Sequence, residues 1–395
     1  MPWEAMSTID CRREFVLLAG RADANVRELC RRFGVSPRIG YKWLGRWKEL
    51  GDAGLTDRSR RPNASPRRSP AEIEAAVLAV RAEHPAWGGR KIARVLQNEG
   101  RDPPSASTIT AILRRHGVAL GSFGGGEAAF TRFEHEAPNE LWQMDFKGHV
   151  GLSDGGRLNP LTVLDDCSRY CIVLSACADQ RTESVRDRLV TAFRRYGLPR
   201  RIITDNGSPW GDGPGSPYTP LGVFLMEQGI GVVHSRPYHP QTMGKDERFH
   251  RSLKAEVLAG RRFDDLVAAQ QAFERWRAIY NTKRPHEALA MAVPMARYRA
   301  SPRSYREQIE PFDHAPGDHL RKVEETGRIS FEGKLRRVPK AFRGKTIALR
   351  PTEVDGCYEV FFRHQRIATL DCRTSSADAQ PVTHVPEHPL PISPV

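Results

Sequence analysis

The spacing of apolar residues changes character along the chain. Over 25–48, Val26, Leu29 and Phe33 recur at helical intervals and Gly34 interrupts them. Ser36 followed by Pro37 predicts the N-cap and first turn of a second helix, on which Gly40, Leu44 and Trp47 are expected to face inward. Ser69, Pro70, Ala71 and Glu72 read as a capping box that opens a helix with Ile73, Val77 and Val80 on one side. Helices over 89–98 and 107–116 follow, with Trp87, Ile92, Val95, Leu96, Ile109, Ile112 and Leu113 as core. After Pro138 the texture is strand-like: 141–146, 161–166 and 170–176 are β-rich runs separated by Gly-containing turns. A helix over 183–196, a strand over 201–205, a helix over 220–228 and a strand over 230–234 complete that region. The segment 239–254 starts as a turn and continues as a helix, on which Phe249 and Leu253, with Val257 beyond, are spaced to pack on a sheet. A last long helix covers 263–281, and short strands are predicted at 327–331, 335–338, 346–350, 358–362 and 366–370.

This order predicts a multidomain chain: α-helical helix-turn-helix units, then an α/β ribonuclease-H-like core, then a small β-barrel, SH3-like by analogy. The expected limits are 8–57 for the first helix-turn-helix, 58–68 for an Arg-rich linker and 69–120 for a second helix-turn-helix or winged-helix unit. A Gly-rich linker over 121–136, the core over 137–300, the barrel over 318–372 and a Pro-rich tail over 373–395 follow.

Charge sharpens the reading. The 395 residues carry 61 Lys and Arg against 47 Asp and Glu, a net of +14, which suggests a polyanionic partner without naming it. Residues 1–136 hold 23 basic against 16 acidic residues, net +7; 137–300 are net +5 and 301–395 net +2. Arg38, Lys42 and Arg46 repeat every fourth position on the second helix, the face that a helix-turn-helix lays in a major groove. Arg58, Arg60 and Arg61 open an acid-free stretch suited to tracking phosphates, or to a solvated hinge. No run of 18 apolar residues predicts a membrane span, and the first twenty residues lack the composition of a secretory signal. Seven Cys without a CxxC pair fit a reduced, cytoplasmic protein with neither a disulfide framework nor a Cys-rich zinc site.

Three acids stand where the apolar pattern makes them costly or prominent. Asp145 lies inside the run 141–146, Asp205 ends the strand 201–205, and Glu247 lies early in the following helix. Carboxylates from a middle strand, an adjacent strand end and a crossing helix form a hard-oxygen site suited to Mg²⁺. Two such ions, with Mn²⁺ as a substitute, suit phosphodiester chemistry. Lys245, Arg248, Arg251 and Lys254 border Glu247, either as phosphate contacts or as the solvated face of the helix. Asp165 and Asp166 are rivals on paper that look structural; for His239 and His250 a turn or surface position is the default. Trp210 either stacks on a base or anchors its loop.

Trp142-Gln143-Met144-Asp145, Ile203-Thr204-Asp205-Asn206-Gly207 and the block from His239 through Gly244-Lys245-Asp246-Glu247-Arg248-Phe249-His250 resemble the three catalytic blocks of integrase-type DDE transposases of bacterial insertion sequences. Val163 to Tyr170 is similar to that family's second strand and turn. The resemblance covers roughly residues 10–370 and implies a catalytic and metal-binding triad of Asp145, Asp205 and Glu247. It further implies double-stranded DNA as partner (element ends and target), a homodimer or higher multimer on DNA, and a nucleoid-associated protein. The chain departs from the family in a longer Asp205-to-Glu247 interval, which the Gly- and Pro-rich loop 208–220 accounts for, and in Asp246 beside Glu247. Rival readings are a DNA-binding regulator with an inactive core and a nuclease that only hydrolyses.

Overall fold

The computed structural model describes residues 7–59, 68–118, 134–211, 217–235, 244–373 and 380–381. Arg60, Arg61, the Gly-rich stretch 121–126, His239, part of the loop 208–220 and nearly all of the tail lie outside the described residues. By internal contacts the chain divides into residues 1–68 and 69–395.

In the first unit, α1 (Thr8–Ala19), α2 (Val26–Arg32) and α3 (Pro37–Leu50) pack around Phe15, Val16, Cys30, Trp43, Leu44 and Leu55. The side chain of Ser36 accepts from the Ile39 amide and Asn25 from the Glu28 amide, so both α2 and α3 begin on capped first turns. Gly34 turns the chain between them at φ 64°. Trp43 is the buried Trp of α3 and Trp47 only half-buried. A Cβ on Gly40 would run into Cys30 Sγ and come within 2.8 Å of Phe15 Cζ. Gly40→Ala is therefore expected to cost about 1–3 kcal/mol by overpacking. Hydrogen exchange should show the loss across 7–59 and leave residues beyond 69 unchanged.

The second unit begins with α4 (Ala71–Glu83), α5 (Gly89–Asn98) and α6 (Ala106–Arg115), closed on Val77, Trp87, Ile92, Leu96, Ile109, Ile112 and Leu113. The capping box expected at Ser69 is absent: Pro70 occupies the N-cap and no side chain bonds the first turn. The cap has moved one residue along, which takes Ser69 and Glu72 out of register. Ser105 instead caps α6, accepting from Thr108 N.

The central sheet contains β1 (Leu141–Phe146), β2 (Val150–Gly151), β3 (Arg157–Asp165), β4 (Cys171–Cys177), β5 (Arg201–Thr204) and β6 (Gly231–His234). β3 lies antiparallel between β4 and β1, with short β2 on its first residues; β1 pairs parallel with β5, and β5 with β6. Parallel pairing needs crossovers, which α7 (Thr182–Tyr196) and α8 (Pro220–Glu227) supply. These helices cover the face carrying Trp142, Met144, Leu161 and Val163. On the other face, α9 (Gly244–Leu253), a π-helical turn (Lys254–Leu258) and α10 (Leu266–Thr282) bury Leu164, Leu174 and Ala176 under Phe249, Leu253, Phe273 and Trp276. The strands are buried on both sides, as a covered mixed sheet requires. Ile279 of α10 also packs against the α4–α6 core, and Arg90 lies 3.9 Å from Glu287.

After α11 (Pro294–Arg297) come β7 (His319–Lys322), β8 (Arg328–Phe331), β9 (Lys334–Arg337), β10 (Thr346–Pro351), β11 (Cys357–Phe362), β12 (Gln365–Asp371) and β13 (Gln380–Pro381). The small barrel expected over 318–372 is not formed. β13-β12-β11-β10-β7 make one open sheet and β8-β9 a separate hairpin. Among the described residues, that hairpin has ladder bonds only within itself, so nothing joins the two edges. Side chains close the gap: Ile329, Phe331, Val338 and Phe342 share one apolar cluster with Leu349, Val360 and Ile367. The cluster continues into Tyr218, Leu221 and Phe224 of the central domain, and Lys345 Nζ reaches Glu227 Oε1 at 2.5 Å.

Candidate functional site

β1 is buried over its first four residues and emerges at Asp145 and Phe146. In the parallel pair Gln143 faces Ile203, so two residues further on the strand ends bring Asp145 level with Asp205. Asp205 is exposed just past β5. His234 Nδ1 lies 3.0 Å from its carbonyl oxygen, and Asn206 Nδ2 donates to Ser235 O at 2.8 Å, so β6 holds this turn. α9 crosses the sheet with Phe249 and Leu253 buried, which leaves Glu247 on its exposed side.

Burial pushes the Asp145 carboxyl up to about 6, and the negative charges of Asp205 and Glu247 add to it against the pull of the Phe146 amide and Lys147. Asp145 therefore feels both of the other acids. They do not converge on a single-ion radius: within 4.8 Å of one another stand ligand atoms of Asp145, Asp246 and His250 instead. Asp145 Oδ1 accepts from Phe146 N at 2.7 Å, and Oδ2 lies 3.9 Å from His250 Nδ1. Asp205 Oδ1 accepts from Gly207 N at 3.0 Å.

The sequence did not reveal Asp246 and His250 as buried groups. Asp246 is 1% exposed. Thr162, the β3 partner of Asp145, donates to Asp246 Oδ1 at 3.1 Å, and His250 Nε2 lies 3.1 Å from Asp246 Oδ2. Burial raises the Asp246 carboxyl well above its usual range, and the neighbouring Asp145 adds to this. Burial likewise lowers His250 to about 3, so its ring is neutral. Thr162, Asp246 and His250 thus form a packed polar layer beside Asp145, in which Asp246 Oδ2 finds no hydrogen-bond partner among the described residues. The surface default for His250 is corrected; the helical i, i+4 spacing of Asp246 and His250 was the available signal.

Lys245, expected to face solvent or phosphate, lies instead 2.5 Å from the fully buried Asp166 Oδ1. Burial works against the Asp166 charge, but His135, Lys245 and Arg169 outweigh it and hold the carboxyl below its usual range. Asp165 is equally buried and accepts from Asn139 N, Ser168 N and Ser168 Oγ, a turn-forming role. Arg248, Arg251 and Lys254 are exposed. Trp210 is buried and stacked on Phe146 at 5.6 Å, so it anchors its loop. On α3, Arg38 and Lys42 are exposed, while Arg46 is half-buried. Lys42 and Arg46 lie 4.4 and 5.0 Å from the Trp43 ring centroid, which fixes where this basic face points. Arg58 is exposed.

Comparison with known proteins places a helix-turn-helix domain over 12–63 and a homeodomain-like domain over 39–113. Two integrase core domain families match 135–240 and 228–294, and the IS481 family transposase C-terminal domain matches 318–378. An uncharacterized protein of insertion element IS407 from Burkholderia multivorans is 25% identical over 58% of this chain and 82% of its own length. One of insertion element IS476 from Xanthomonas euvesicatoria is 28% identical over 42% of this chain, which spans 46% of it. A simian T-cell lymphotropic virus intasome structure, 11% identical, aligns over 78% of this chain and 96% of that one with a TM-score of 0.37.

Proposed function

We propose, for a chain whose domain set is that of integrase-type DDE transposases of insertion sequences, that Asp145, Asp205 and Glu247 are where DNA strands are cut and joined. The observation that carries this is the placement of Asp145 at the end of β1 level with exposed Asp205 just past β5, with Glu247 on the exposed side of α9. Carboxylates gathered at neighbouring strand and helix ends repel one another unless a cation accompanies them. Their donors are all hard oxygens, which fits Mg²⁺, or Mn²⁺ in its place. Asp145, Asp205 and Glu247 would hold two such ions. When bound, these would polarise a phosphodiester and neutralise the departing oxygen.

The chain's own residues do the rest. Phe146 N fixes Oδ1 of Asp145, while Oδ2 lies 3.9 Å from His250 Nδ1. Thr162, Asp246 and His250 are all buried beside Asp145. Exposed Arg248 and Arg251 on the helix that carries Glu247, and Lys254 in the turn after it, offer phosphate contacts. Arg38, Lys42, Arg46 and Arg58, with Arg60 and Arg61 beyond the described residues, serve the helix-turn-helix reader. The chain acts on double-stranded DNA, element ends and then target, as a homodimer or higher multimer in the nucleoid. No helix among the described residues is long and apolar enough to cross a membrane.

The test is strand joining of the flanking element ends to a target plasmid with Mg²⁺ or Mn²⁺. Asp205→Asn and Glu247→Gln should each lose joining while still retarding end DNA; wild-type joining by both would end this reading. Replacing Arg248, Arg251 and Lys254 together by Ser should weaken DNA binding regardless of sequence. The log–log salt slope should then fall by up to about three, at roughly 0.9 per lost phosphate contact.

A further inference from the structure

The start of α9 is tied to the sheet by side chains that the carboxylate site does not use. Gln143, two positions before Asp145, is 2% exposed and employs both ends of its amide. Its Nε2 donates to Asp166 Oδ1 at 2.8 Å, and its Oε1 accepts from the Asp246 backbone N at 3.2 Å. That N–H belongs to the first turn of α9, where helical geometry provides no partner. Lys245 Nζ lies 2.5 Å from the same Asp166 oxygen and donates to the Asp166 carbonyl at 3.3 Å. Asp166 Oδ2 accepts from His135 N at 3.1 Å and lies 3.0 Å from His135 Nδ1. A carboxylate only accepts, so Nδ1 carries the ring proton. The result is a closed buried ring, from the end of β3 through β1 to the two residues that precede Glu247.

We propose that Gln143, Asp166 and Lys245 form a latch that fixes the first turn of α9 on β1 and so sets where Glu247 stands relative to Asp145. The proposal rests on the carboxylate reading above. These are positioning residues: their polar atoms are spent on one another. Lys245 consequently contributes no phosphate contact.

The test uses the full chain without DNA, Mn²⁺ alone as probe by electron paramagnetic resonance, and hydrogen exchange over 244–253. Gln143→Met, and Asp166→Asn combined with Lys245→Met, which removes both buried charges together, should weaken Mn²⁺ binding about tenfold, as loss of groups that orient ligands does. Both should speed exchange in α9 and leave β3 and β4 protected, while Lys245→Arg stays near wild type. Unchanged exchange in α9, or faster exchange with wild-type Mn²⁺ affinity, would each overturn the latch. If Glu247→Gln binds Mn²⁺ as wild type does, the carboxylate reading fails instead. Exchange then decides alone: acceleration in both latch variants sustains the latch, and none overturns it.

Discussion

Asp145→Asn is expected to remove strand joining by on the order of 10³-fold, the upper range for losing one electrostatic stabiliser, and yet to make the cation-free protein more stable. Asn keeps the shape and the bond from Phe146 N while discarding the charge. The sign follows from a carboxyl whose ordinary 3.8 is pushed up to about 6 by burial, with Asp205 and Glu247 adding. A folded state that holds its proton more tightly is favoured below pH 3.8 and loses that advantage as the pH rises through about 6. At pH 7.5 the wild type bears the full cost, on the order of 1–2 kcal/mol after allowing for partial solvent access, and Asn does not. Thermal melting in chelator should place Asn above wild type at pH 7.5 and level with it near pH 4. Added Mg²⁺ should raise the wild type more than the variant, because ligand binding stabilises only the state that binds. An Asn protein that melts below wild type in chelator at pH 7.5 contradicts this account of Asp145.

Phe342→Ala is expected to destabilise the second unit by about 3–5 kcal/mol, the range for a fully buried Phe. Phe342 is completely buried, 5.2 Å from the Tyr218 ring and 5.0 Å from that of Phe362. The cavity would open where the C-terminal sheet meets the central domain, since Tyr218 precedes α8 and Phe362 ends β11. Both parts share one apolar cluster, so they should melt in one transition that shifts as a whole. Calorimetry showing the C-terminal strands lost separately, with the central sheet unmoved, would contradict the shared core.

What was legible in the sequence follows from how far each property reaches. Asp145 and Asp205 stand out because an acid in or beside a short apolar strand violates local patterning, and such patterning is a property of neighbours. The choice of Glu247 over Asp246 rests on the resemblance of Glu247-Arg248-Phe249-His250 to the family's block; helix phase says only that the two neighbours face different ways. What Asp246 and His250 do depends on Thr162, which lies 84 and 88 positions earlier, so no local window contains it. Lys245 misled for the same reason: a basic residue among basic residues looks solvated until β3 delivers a buried Asp166 beneath it. The C-terminal strands were recognisable from alternation, but closure depends on which edges pair, and alternation is silent about partners. α1, β2, β7, α11 and β13 were missed: α1 carries exposed Ile9 and Leu17 that blur its stripe, β2 and β13 are two residues long, α11 is a single turn, and β7 has Leu320 as its one apolar residue.

Ile279 gives α10 two neighbours at once, the sheet on one side and the α4–α6 core on the other. A helix shared in this way behaves as a rigid ruler. Its far end cannot shift relative to the strand ends without disturbing apolar contacts on one side or the other. Whatever α4–α6 grips is thereby kept at a constant offset from Asp145, measured in turns of α10 rather than in the reach of a tether.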